Sequence, residues 1–83
     1  MGVIKVRVKL EFNWVGRDIV CLISKKDMLN DIKNDSITKG EFITQGQTYS
    51  FTIMWNNSSI DVWKDGNVIS TVNNFMISFN QMF

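Results

Sequence analysis

Any chemistry in this chain must come from carboxylates, one thiol and a few cations, because its 83 residues include no histidine. Without imidazole, the commonest general base and the commonest metal ligand are both missing. The carboxylates are Glu11, Asp18, Asp27, Asp31, Asp35, Glu41, Asp61 and Asp65. A pair of them at the right separation can do acid–base work, but none lies in a recognisable motif. Asp27 and Asp31 are one helical turn apart and read as solvated charge on a helix face; their spacing is not that of a calcium loop. Cys21 is the single cysteine, which excludes an internal disulfide and a multi-cysteine zinc site. It sits in the apolar run 19–23, where a thiol is a small core residue and its thiolate is disfavoured. Gly46 and Gly66 read as turn residues rather than a phosphate cradle. These residues lead us to expect no catalytic group, no metal and no cofactor, and hence a chain that is not an enzyme.

Binding chemistry has more to work with. Lys5, Arg7 and Lys9 alternate along one strand face, with Arg17 expected at the end of that row. A basic row beside aromatics is how small barrels hold single-stranded nucleic acid. Glu11 interrupts the row, however, and a net charge of +1 is too small to mark a nucleic-acid binder by itself. The charges are unevenly spread: between Phe42 and Phe83 only Asp61, Lys64 and Asp65 are charged, and the last eighteen residues carry none. Protein surfaces lose charge where the cores of their interfaces lie. Trp63 faces outward with Asp61 if Ile60 and Val62 face inward; the opposite register would make it core. Tryptophan is enriched at interface hot spots. The expected protein-contact residues are therefore Met54, Trp55, Trp63, Met76, Ser78 and Met82.

The elements that must hold these residues are read from periodicity. Val3 to Trp14 alternates, with Val6, Val8, Leu10, Phe12 and Trp14 on one side and Lys5, Arg7, Lys9, Glu11 and Asn13 on the other. Period two over this length is a strand with one buried and one wet face. A turn at 15–18 leads to Ile19–Ile23, read as a short returning strand buried on both faces. Ser24 is the expected N-cap of a helix near 25–34, with Asp27 at its third position and Met28, Leu29 and Ile32 on one face. Residues 35–41 read as a loop. Thr48 to Trp55 alternates again after a turn around Gly46. Asn56 to Ser59 is a turn and Ile60 to Trp63 a strand. Asp65-Gly66 signals a hairpin, Val68 to Val72 returns, and Phe75 onward forms a last strand after Asn73-Asn74.

The spacing thus predicts a single domain, 1–83, of six to seven short strands with one helix: a mainly β fold, either a small barrel or a strongly twisted antiparallel sheet. Thr44-Gln45-Gly46-Gln47-Thr48-Tyr49, then Lys64-Asp65-Gly66, then Phe75 or Phe79 resemble the turn, hairpin and closing strand of small SH3-like barrel proteins of phages and prophages. The lysines that flank the glycine of that turn in the family are glutamines here. The resemblance covers Ile43 to Phe79 and implies a fold and a phage-like setting, without a reaction.

Three functions follow as expectations. The first is a non-enzymatic module that binds a host protein and inhibits or redirects it, as an anti-defence protein does. The second is a small barrel binding nucleic acid through Lys5, Arg7, Lys9 and Arg17. The third is a homo-oligomer that sequesters a small ligand such as a nucleotide signal. The unpaired cysteine, the absence of a signal-peptide pattern and the absence of a long apolar run lead us to expect a cytoplasmic location, in the host cell if phage-encoded, and no membrane partner.

Overall fold

The computed structural model describes residues 6–79. In chain order it contains β1 (Arg7–Trp14), β2 (Arg17–Ser24), α1 (Lys25–Lys33), β3 (Thr38–Thr44), β4 (Gln47–Met54), β5 (Ser59–Lys64), β6 (Asn67–Val72) and β7 (Phe75–Ser78). The strands form two antiparallel sheets, one ordered β2-β1-β7 and the other β3-β4-β5-β6. The fold is therefore mainly β with one short helix, as the alternation predicts. Among the described residues no ladder joins β2 to β3 or β6 to β7, so the hydrogen bonding makes two open sheets rather than a closed barrel.

Three tight turns set the registers. Val15-Gly16, Gln45-Gly46 and Asp65-Gly66 all have positive φ at both residues, at 53° and 73°, 52° and 73°, and 51° and 79°. Two consecutive left-handed residues match the right-handed twist of the flanking strands, and glycine supplies the second at no steric cost. The registers they fix put Val8, Leu10, Phe12 and Trp14 of β1 on the side that faces the second sheet, where Phe42, Phe51, Ile53, Ile60 and Val62 meet them. Aromatic rings fill one end of this core. Phe42 lies edge-on to Phe12 and to Trp14, with centroids 5.6 Å apart in each case, and stacks on Tyr49 at 5.4 Å.

The helix carries the chain from the end of β2 to the start of β3. Ser24 caps it as expected, its Oγ accepting from the Asp27 backbone N–H at 3.2 Å. Asn34 and Asp35 end it, Asp35 with φ 55°. Only Met28 is buried; Leu29 and Ile32, expected beside it, are about half exposed. A helix of nine residues that crosses the end of two sheets presents only one turn to the core.

Two further expectations are corrected. Residues 35–41 are not all loop, because β3 starts at Thr38; Thr38, Gly40 and Phe42 face the core, with Gly40 leaving room for the Phe51 ring opposite, and so small residues hide the alternation. The β2 strand is not buried on both faces: Ile19 and Ile23 are buried and Cys21 half-buried, while Val20 and Leu22 are exposed. With two layers only, β2 has the other sheet against one face and, among the described residues, nothing of the fold against the other.

Candidate protein interface

Trp63 and its neighbours are positioned by the register of the four-stranded sheet. Ile60 and Val62 of β5 are fully buried, so Asp61 and Trp63 point to the outer face. Trp63 pairs with Ser50 of β4, and Ser50 with Glu41 of β3; in the next row Asp61 pairs with Thr52, and Thr52 with Lys39. The outer face of β4 is thus a line of hydroxyls, Thr48, Ser50 and Thr52, between a charged pair on β3 and the indole on β5. A trough of about 610 Å³ runs over it, closed at one end by Lys64-Asp65-Gly66.

The indole is held in place. Trp63 Nε1 donates to Thr52 Oγ1 at 3.0 Å, which fixes the ring across the sheet and satisfies its one polar atom while the residue stays half-buried. Beyond it, a bulge in the β5–β6 pairing opposes Val62 to Ser70 and Trp63 to Val68, so Ile69 is skipped. Val68 and Ile69 are both exposed beside the tryptophan.

The few charges of the second half are largely engaged within the molecule. Asp61 Oδ1 accepts from Thr71 Oγ1 at 2.9 Å. Lys64 Nζ donates to the Thr48 carbonyl at 3.1 Å and lies 4.8 Å from the centroid of the Tyr49 ring, a cation–π distance. The trough is therefore an amphipathic surface with one fixed aromatic.

The six expected contact residues do not form one surface. Met54 and Trp63 are on the outer face of the four-stranded sheet, whereas Met76 and Ser78 are on the outer face of the three-stranded sheet, opposite Glu11 and Lys9. Trp55 is on neither. It packs against the core and edge-on to Phe75 at 6.0 Å, and its indole N–H is used on Thr38. Met82 lies outside the described residues.

The basic row is shorter than expected. Lys5 lies outside the described residues, and Arg7 and Lys9 share the outer face of β1, where Lys9 Nζ is 3.2 Å from Glu11 Oε1. Arg17 does not continue the row. It pairs with Trp14, at a position of the core-facing parity, because the two-residue turn puts Asp18 and not Arg17 beside Asn13.

Burial raises the Cys21 thiol above its ordinary pKa, which works against a nucleophilic thiolate. Among the described residues no three cysteine, aspartate or glutamate side chains converge as a metal site would require, and no helix is long and apolar enough to cross a membrane. Residue reasoning missed the trough itself. Its hydroxyl floor is visible as the wet positions of β4, but the polar stretch 35–41 reads as a loop, which leaves Lys39 and Glu41 off the sheet.

Comparison with family models, with curated proteins and with solved structures gives no match.

Proposed function

We propose that this chain is a non-catalytic module that binds another protein through the outer face of its four-stranded sheet, with Trp63 as the anchor. One observation carries the reading: Trp63 is half-buried at the side of an open trough, its indole fixed by Thr52 beside the hydroxyl floor of β4. A rigid, half-desolvated tryptophan beside a row of hydroxyls loses little rotamer entropy on binding and adds a large contact area. Together with the phage-like setting implied by the turn and hairpin residues, this favours a host protein as the target and inhibition or redirection as the outcome.

The test is capture from host lysate by wild type, Trp63→Ala and Met76→Ser, followed by identification of the retained protein. A partner kept by wild type and by Met76→Ser but lost by Trp63→Ala supports the reading. No partner, or equal capture by all three, overturns it. Retention of nucleic acid that disappears with added salt would instead favour the Arg7–Lys9 row, since phosphate contacts release counterions.

A further inference from the structure

The three-stranded sheet also turns one face away from the core, and that face is patterned. Read across β2-β1-β7, one row is Leu22, Lys9 and Ser78 and the next is Val20, Glu11 and Met76. Ser24 and Arg7 flank the first row, and Asp18 and Asn13 the second. Val20, Leu22 and Met76 are 56%, 41% and 62% exposed. The charges divide by end: Arg7 and Lys9 at one, Glu11 and Asp18 at the other.

This surface is complementary to itself after a half-turn. A two-fold axis in the plane of the sheet, crossing the strands between the Lys9 row and the Glu11 row, reverses the strand direction and exchanges the rows. Lys9 then meets Glu11 of a second copy, Leu22 meets Val20, Ser78 meets Met76, and the Arg7 end lies over the Asn13–Asp18 end. The other in-plane axis, along the strands, would set Lys9 on Lys9 and Glu11 on Glu11, which like-charge repulsion forbids. We propose that the chain self-associates through this face in the first arrangement, as an isologous dimer with its sheets packed face to face.

The patch is small. Three strands about 4.8 Å apart and about 3.4 Å per residue over β1 bound the footprint at roughly 14 by 27 Å, of which the four-residue β7 covers only part of the length. That is below the ~800 Å² per partner of a standard interface, the size class of weak, transient association. Because the Trp63 trough is on the opposite side of each sandwich, the dimer carries two troughs facing apart. Such a dimer would bind a multivalent target with avidity. The dimer itself does not depend on what the trough binds.

Sedimentation equilibrium from about 10 µM to about 1 mM, at low and high salt, tests this. Wild type should pass from monomer to dimer across that range, less readily in salt. Lys9→Glu and Glu11→Lys should each be monomeric alone, since each brings like charges together at the axis. Mixed in equal amounts they should dimerise, because one face is then acidic and the other basic. A wild type that stays monomeric throughout overturns the proposal, as does a mixture that fails to associate or single variants that dimerise as well as wild type. Unchanged circular dichroism of each variant confirms that the fold is intact.

Discussion

Trp55 donates its indole N–H to the hydroxyl of Thr38 at 2.8 Å, across seventeen positions of chain, and the same hydroxyl donates to Asp31 Oδ2 at 2.8 Å. One buried oxygen thus ties the turn after β4 to the first residue of β3 and to the helix. Trp55 in turn packs edge-on to Phe75 of β7, so the chain of contacts spans both sheets. The helix buries only Met28, and this polar link adds to the bond that its first residue, Lys25, donates to the Val6 carbonyl at 3.1 Å.

Replacing Thr38 with valine keeps the shape and removes both bonds. The Trp55 donor and the Asp31 acceptor lose their partner, which costs about 1–3 kcal/mol for the more buried group. Thr38→Val should lower the midpoint of urea unfolding without changing its slope, and Thr38→Ser should retain most of the stability.

Val15 is a β-branched residue at φ 53° in the first hairpin turn. A left-handed backbone crowds its Cβ, at a cost of about 1–2 kcal/mol that asparagine largely avoids. Val15→Asn should therefore stabilise the protein by about 0.5–1 kcal/mol in chemical unfolding. The side chain is exposed, so no packing is lost.

Gly40 lies opposite Phe51, whose ring covers it. A Cβ at position 40 would come within 2.7 Å of Phe51 Cε2, and Phe51 is fully buried with no free direction to move. Gly40→Ala should cost about 1–3 kcal/mol by overpacking, read by thermal or urea unfolding. Changing an exposed β3 residue such as Lys39 to alanine should have little effect.

Burial raises the Cys21 thiol above the ordinary value of 9.0. Between that value and the higher folded pKa, the unfolded chain binds fewer protons than the folded one, so stability falls as pH rises through this window and is unaffected by this group below it. Stability measured from pH 8 to 11 should decline less steeply in Cys21→Ala than in wild type, and thiol-specific labelling at neutral pH should be slower in the folded protein than in urea.

Much of the architecture is legible in the residues because strand alternation and turn chemistry are local. Within the stretch read as alternating from Val3 to Trp14, the core positions Val8 to Trp14 declare themselves within a few positions, as do Thr48 to Met54, the glycine turns at 16, 46 and 66 and the Ser24 cap; Val6, expected on the buried side, is exposed, and residues 1–5 lie outside the described ones. The first part of β3 did not, because Thr38 and Gly40 occupy core-facing positions that larger apolar residues normally mark. The split of Met54 and Trp63 from Met76 and Ser78 was also invisible. Composition says that the second half lacks charge but not that Asn73-Asn74 carries the chain from one sheet to the other.

The sequence by itself determined the class of fold, the places of the turns, the helix start and the poverty of catalytic groups, since each rests on residue type and on spacings of two to four positions. Only the tertiary structure decided that Trp63 of β5 lies over Thr52 of β4, that Trp55 is spent on Thr38, and that Arg17 leaves the basic row. Those outcomes depend on which strands become neighbours and in what register, and that is settled by burying two apolar faces against each other, a condition on the whole chain that no short window contains.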